Sequence, residues 1–303
     1  MNNIEFTVFT PTYNRSYTLD KLYNSLKNQT FRDFEWLIVD DGSTDNTEAK
    51  IRGFIAEEVF PIKYIKKKNE GKHVGINVGA KEARGEWFFI VDSDDWIVRN
   101  ALEVINDYCF QIDKNEEFAG VVGLRGNSTG KVWNTSDITK EGEIFNFNCR
   151  ECIDASTVEY RYKFKIEGDR AEVIRTSLLR KYPFPSFSNE KFMPERYLWF
   201  KLSEDGYKFR WFNEVIYITE YLEDGLTQNG KELAKKNCKS RSACDNYCSI
   251  VHGIPFKEKV KFSINYFRYG KYAGENYAQL FNDAQQKYLR WVAAPIAMIC
   301  PIK

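Results

Sequence analysis

Short apolar runs separated by polar turns recur along the first hundred residues. Residues 5–10 form such a run and meet Pro11-Thr12-Tyr13-Asn14, which predicts a strand followed by a loop. Leu19, Leu22, Tyr23 and Leu26 then recur at helical spacing, with Ser16 as the expected cap. Residues 36–39 predict a second buried strand ending in Asp40-Asp41-Gly42-Ser43, and a helix is expected to begin near Asn46. A third strand is expected over 62–65, followed by the loop Asn69-Glu70-Gly71 and a helix over 74–83. The fourth, 87–91, ends in Asp92-Ser93-Asp94-Asp95. Parallel neighbours need crossover connections, so this alternation predicts an α/β fold with a doubly wound, mainly parallel sheet. Ligands of such sheets bind outside the carboxyl ends of the strands, where these polar clusters fall.

The rhythm then changes. A helix over 102–110 and a strand over 119–124 are followed by 159–166 and 171–174, read together as a small antiparallel insertion. A helix over 195–202 and a strand over 209–218 come next. From Gly230 the composition shifts to Lys, Tyr and Asn, which suggests a boundary there: a body of 1–230, divided near 100, and a tail of 231–303. Apolar positions within 256–272 predict one tail helix. Tyr277, Leu280, Phe281, Ala284, Tyr288, Trp291 and Val292 share a face of a second, giving a helical C-terminal region.

Charge sharpens this division. The chain carries 44 Lys and Arg against 43 Asp and Glu, so nothing global points to a nucleic-acid partner. Residues 231–303 alone hold 13 basic and 5 acidic residues, which makes the tail a basic appendage on an acidic body. Helices rich in both aromatic and basic residues can lie on an anionic leaflet, or can pack on the body or on a second copy in a homo-oligomer. The first residues lack a secretory pattern, and no run is long enough to span a bilayer, so the expectation is a cytoplasmic protein with peripheral membrane contact through 256–303. The 7 cysteines suit reduced thiols. Cys149-x-x-Cys152 and the group Cys238, Cys244 and Cys248 match no standard zinc spacing.

Asp-x-Asp-Asp at a strand end offers hard carboxylate oxygens to Mg²⁺ or Mn²⁺, and such an ion binds a diphosphate. Alone, the cluster is as readily a solvated turn or helix cap. Two further polar clusters at neighbouring strand ends, with Glu70-Gly71-Lys72-His73 beside them, favour a nucleotide diphosphate site.

VFTPTYNR, VDDGSTDNT, NEGKHVGINVGAKEARGEW and FIVDSDD, in this order and spacing, resemble the nucleotide-binding half of the family 2 glycosyltransferases of GT-A fold. The likeness is tight over residues 4–100 and looser to 225. It implies an inverting transfer from a UDP-sugar to a saccharide or polyprenyl-diphosphate-linked saccharide, of the kind used in O-antigen or capsule assembly. By the same resemblance, Thr10, Pro11 and Tyr13 flank the base, and Asp41 accepts the uracil N–H. Lys72 lies near the base or phosphates, Asn77 matches the donor-binding asparagine of the following helix, and His73 could be a ligand or hydrogen-bond donor there or a polar residue at the helix start. Asp92 and Ser93 face the donor, and Asp94 with Asp95 hold the metal, Asp95 most directly. Family members commonly carry Glu-Asp at the start of a later helix, where this chain reads Pro194-Glu195-Arg196. Glu195 is therefore the expected base, with Asp169 and Asp224 as substitutes should the missing second acid be the one that matters. Trp199 and Trp211 could stack on a sugar, although Trp199 lies in an apolar helical stripe. Two other functions remain open: a nucleotidyltransferase releasing pyrophosphate, and a silent sugar-binding scaffold subunit.

Overall fold

A computed structural model describes residues 4–128, 152–166, 168–220 and 230–300 of the chain. Its strands are β1 (Phe6–Thr12), β2 (Phe34–Asp40), β3 (Ile62–Lys66), β4 (Trp87–Ile90), β5 (Trp96–Ile97), β6 (Phe118–Gly126), β7 (Ile153–Ala155), β8 (Arg170–Arg175) and β9 (Lys208–Ile218). They form one sheet in the order β3-β2-β1-β4-β8-β6-β9-β5, with β7 paired to β9. The pairs β1-β2, β2-β3, β1-β4 and β6-β9 are parallel. Strand β8 runs against both its neighbours, β4 and β6. The expected doubly wound, mainly parallel sheet is present, but the antiparallel element is no side insertion. It is a central strand joining the two parallel halves.

Side chains alternate across the sheet because successive strand residues point to opposite faces. Phe6, Val8, Phe34, Trp36, Ile38, Trp87 and Phe89 pack on one side. There they meet α1 (Leu19–Lys27), α2 (Thr47–Ala56) and α4 (Ala101–Ile112). Phe9, Leu37, Val39, Phe88 and Ile90 pack on the other. That side is covered by α3 (Lys72–Glu82), α5 (Thr176–Lys181) and α6 (Arg196–Glu204). The fully buried Glu35 is satisfied, taking hydrogen bonds from the Thr7 hydroxyl at 2.8 Å and from the Arg84 backbone and guanidinium at 2.7 and 2.6 Å.

Four expectations are corrected. Residues 159–166 do not form a strand; a π-helical turn occupies Glu159–Lys163. The cause lies in Ser156-Thr157-Val158-Glu159, a reciprocal cap in which the Ser156 N–H donates to Glu159 Oε2 at 3.0 Å and the Glu159 N–H to Ser156 Oγ at 3.2 Å. Tyr160 then stacks on Trp211 at 3.6 Å between centroids. Ser16 does not cap α1, because its N–H donates to Asp45 Oδ2 at 3.2 Å in the loop before the helix. The tail face over 277–292 is split between α10 (Tyr277–Asp283) and α11 (Arg290–Ile299), with Ala284 in a non-helical conformation after α10.

The fourth concerns the boundary at 230. Beyond α7 (Gly230–Lys236), the helices α8 (Cys238–Cys248) and α9 (Phe256–Tyr272) contribute Cys244, Cys248, Val251, Ile254 and Phe262 to the same core as β1 and α6. Only the second half of α9, with α10 and α11, builds a separate cluster around Tyr266, Phe267 and Leu280. A buried ion pair ties the regions together. The Arg196 guanidinium, at the start of α6, donates to the fully buried Asp245 carboxylate of α8, and Arg241 adds a second contact at 3.3 Å.

Removing one partner of a buried pair strands the other charge. Asp245→Ala is expected to cost about 3 kcal/mol of unfolding free energy, whereas the double variant Arg196→Met/Asp245→Leu should recover most of it. Urea denaturation of the three proteins checks both values.

Candidate active site

Strands β1, β2, β4, β6 and β9 all run in one direction, so their carboxyl ends share one edge of the sheet. Strand β8 runs the other way and brings its beginning, Arg170 and Glu172, towards that edge. The loops after β1 and β2 are bonded to each other. The Asn14 N–H donates to Ser43 Oγ at 2.8 Å, the Thr44 N–H to Asn14 Oδ1 at 2.8 Å, and the Arg15 N–H to Thr47 Oγ1 at 3.2 Å. Asp40 is fully buried and holds the turn by accepting the Ser43 N–H at 2.7 Å and the Tyr64 hydroxyl at 2.6 Å. These bonds leave the Tyr13 side chain exposed at the rim and Asp41 buried behind it.

Asp41 organises the next loop. Its Oδ1 accepts the Glu70 N–H at 2.9 Å and the Lys67 ammonium at 2.7 Å, and its Oδ2 accepts the Gly71 N–H at 2.7 Å. A carboxylate has about four acceptor directions, so one on Oδ2 is left for an incoming N–H. Gly71 has φ +98°, and a Cβ there would stand 1.9 Å from the Lys191 carbonyl oxygen, so both conformation and space demand glycine. The next residue, Lys72, is the first of α3.

Lys72 spans the cleft. Its ammonium lies 2.7 Å from Asp92 Oδ1, just past β4, and 2.9 Å from Glu195 Oε1, at the start of α6. Burial opposes its charge, but the two carboxylates outweigh burial and raise its pKa. Burial alone would raise Asp92; Lys72, then Arg125, more than offset this and hold its carboxyl below the ordinary range. Asp94 and Asp95 go the other way. Burial and the neighbouring Asp92 charge raise Asp94, and the same two causes push Asp95 up to about 7 against the lowering effect of a Tyr217 hydrogen bond. The Tyr217 hydroxyl donates to Asp95 Oδ2 at 2.7 Å and accepts the Asp92 N–H at 2.9 Å. Arg125 stacks over the Tyr217 ring at 4.2 Å and reaches within 4.0 Å of Asp95 Oδ2.

The cleft therefore gathers Asp92, Asp94, Asp95, Glu195 and Lys72, with Asp41 and Tyr13 on the adjoining loops. Ser93 is buried in the same turn. Three expectations are corrected. Thr10 is fully buried and its hydroxyl accepts the Trp36 indole N–H at 2.8 Å, so its side chain belongs to the core. Asn77 is committed on both sides of its amide to the Phe184 backbone, each bond 2.8 Å, and acts as a brace between α3 and the segment before α6. Trp199 and Trp211 are buried, Trp211 donating to the Ala155 carbonyl at 2.9 Å, so neither offers a sugar platform. Pro11 is partly buried at the end of β1. Asp169 is exposed in the turn before β8, and Asp224 and Cys149 lie outside the described residues.

Arg125, Tyr217 and Glu172 escaped the sequence reading. Each stands on a second-half strand, where no loop motif marks it. The one available signal was a charged or hydroxyl side chain near the end of an apolar run.

Residues 7–174 match the family described as glycosyl transferase family 2. Glu195 lies beyond that stretch. Among relatives, the chain is 27% identical over 207 residues to a GalNAc(5)-diNAcBac-PP-undecaprenol beta-1,3-glucosyltransferase of Campylobacter jejuni, covering 66% of this chain and 60% of that protein. It is 36% identical over 104 residues to an uncharacterized glycosyltransferase of Rickettsia conorii, covering 34% of this chain and 17% of that protein. The chain thus spans less than two thirds of the length of either relative. Among solved structures, the first 349 residues of Staphylococcus aureus TarS in complex with UDP-GlcNAc superpose with a TM-score of 0.62 at 18% identity, over 96% of this chain and 79% of that one. A Pyrobaculum calidifontis mannosyltransferase, PcManGT, in complex with GDP-Man and Mn²⁺ superposes at 0.58 with 14% identity, over 97% and 80%. The fold is thus the GT-A fold of these solved structures, and, since the family match runs over more than half of its length, the chain belongs to glycosyl transferase family 2.

Proposed function

We propose that this chain transfers a sugar from a UDP-sugar, with inversion and with Mn²⁺ or Mg²⁺, to a saccharide or polyprenyl-diphosphate-linked saccharide at the cytosolic face of a membrane. Assembly of a cell-surface polysaccharide such as O-antigen or capsule is the process this chemistry serves. The observation that carries the reading is Lys72, held between a donor-side carboxylate, Asp92, and an acceptor-side one, Glu195. The relatives support it: the Campylobacter enzyme, by its name, acts on an undecaprenol-linked saccharide. A second relative, 31% identical over 125 residues, is the poly(ribitol-phosphate) beta-N-acetylglucosaminyltransferase of S. aureus. Both names specify β products, the outcome of inverting an α-linked donor.

The donor half follows from the loops. The free direction on Asp41 Oδ2 suits the uracil imide N–H, and the exposed Tyr13 ring offers a face to the base. Asp94 and Asp95 fit a hard divalent ion in donor chemistry, since their oxygens share a negatively crowded turn where protonation is already favoured. Among the described residues no group of three or more His, Cys, Asp or Glu side chains encloses a metal, so two carboxylates would rely on phosphate oxygens to complete the shell. When bound, the ion supplies positive charge to the departing diphosphate. Tyr217 fixes Asp95 in place, and Lys72, beside Asp92, would add a further positive charge for the phosphates.

On the acceptor side, Glu195 is the base that takes the proton of the attacking hydroxyl. Donor phosphates arriving at Lys72 compete for its ammonium and free Glu195 for that task. Glu172 enlarges the acidic wall here. Burial, with Glu195 adding to it, pushes its carboxyl up to about 7 despite Arg125.

Glu195→Gln is expected to lower turnover roughly 10²- to 10⁴-fold with little change in the KM for donor. The assay is UDP release; pyrophosphate as the product would identify nucleotidyl transfer instead. Chelation should abolish UDP release, and added Mn²⁺ or Mg²⁺ should restore it in the wild type but not in Asp94→Asn/Asp95→Asn. For Glu172 the pH dependence has a definite sign. Between the free value of 4.5 and about 7, the folded chain keeps a proton that the unfolded chain has lost, so stability falls as pH rises through that window. Glu172→Gln escapes the penalty. Its Tm advantage should open above about pH 4.5 and stop widening above about pH 7, whereas a pH-independent gap would mean that Arg125 keeps Glu172 charged throughout.

A further inference from the structure

Helix α11 is amphipathic in an unusual sense. Its inward residues are small: Ala293, Ala294 and Ala297 pack in the cluster formed with α9 and α10. Its large apolar residues face out. Trp291 is 67% exposed, Val292 54%, Met298 52% and Ile299 79%, and Tyr288, one turn before, is 87% exposed. Pro295 is exposed between them. Positions 291, 292, 295, 298 and 299 follow helical spacing within α11, and Tyr288 lies exposed in the turn just before it. A helix whose only task was to cover a soluble core would turn its large residues inward.

Two occupants could cover such a stripe, a second protein surface or the surface of a bilayer, and charge separates them. No helix among the described residues is long and apolar enough to cross a membrane, which leaves an in-plane position. Charge points to the bilayer: residues 231–303 hold 13 basic and 5 acidic residues, and Lys257, Lys261, Lys271 and Lys287 are exposed. Tyr and Trp at the head of the stripe are the residue types that settle at the boundary between headgroups and acyl chains.

We propose that the outward face of α11, led by Trp291 and Ile299, together with Tyr288 in the turn before it, inserts into the surface of an anionic bilayer while the basic surplus of the tail lies over the headgroups. The inference deepens the reading of a lipid-linked acceptor by naming the surface that brings the enzyme to it. It rests on exposure and charge alone, so its failure leaves the transferase chemistry untouched.

The test is sedimentation of the full chain with vesicles of phosphatidylcholine alone and with added phosphatidylglycerol, with tryptophan emission recorded in parallel. Binding is expected only with the anionic lipid, accompanied by a blue shift and weakened by salt. Trp291→Ser/Ile299→Ser should bind at least tenfold more weakly while retaining the wild-type circular dichroism spectrum and the same UDP release with a water-soluble acceptor. Absence of wild-type binding to anionic vesicles would overturn the proposal, as would undiminished binding by the variant. A wild-type dimer that the variant dissolves, with no vesicle binding, would assign the stripe to a second copy instead.

Discussion

A single ammonium joins the two halves of the cleft. Lys72 contacts Asp92 and Glu195 at once, and Asp94, Asp95 and Glu172 stand in the same neighbourhood, with Arg125 near Asp92, Asp95 and Glu172 and Arg15 near Asp94. Carboxylates gathered in partly dry surroundings repel each other, and this site does not neutralise the excess internally. Two carboxyl groups, Asp95 and Glu172, respond by holding protons up to about pH 7. A site left short of positive charge is suited to a ligand that brings a cation with it.

The placement of Lys72 depends on backbone, through a short chain of causes. Asp41 accepts the Glu70 and Gly71 N–H groups, which fixes the loop ahead of α3. Gly71 alone can adopt φ +98° while touching the Lys191 carbonyl, and α3 starts at the next residue. Asn77, one turn and a half further on, braces the same helix against Phe184. The far side of the cleft is tied down differently: Arg196, next to Glu195, is paired with Asp245 of α8. Where family members commonly carry an acid after the glutamate, this chain has a cation, and the tail provides its counter-charge. The first tail helices are therefore part of the support for Glu195, while α10 and α11 stand apart in a cluster of their own.

The amino-acid sequence by itself determined the first hundred residues almost completely. There each strand is a short apolar run, each turn is marked by Pro, Gly or Asp, and each helix follows within a few residues, so local pattern and global fold agree. The positions of Asp41, Asp92, Asp94 and Asp95 were legible for the same reason: in a parallel sheet, a residue after a strand lies at the ligand edge. Tertiary structure alone decided the rest. Residues 159–166 look like an alternating strand, yet a reciprocal Ser156–Glu159 cap and stacking of Tyr160 on Trp211 turn the chain instead. Thr10 and Asn77 carry the right polar groups in the right motifs, but burial beside Trp36 and Phe184 consumes them. Arg125, Tyr217 and Glu172 sit on strands far apart in sequence, and only the register of β6, β8 and β9 brings them near the aspartates. Local spacing encodes which way a side chain points along its own element; which neighbour it meets is settled by contacts between segments that no short window contains.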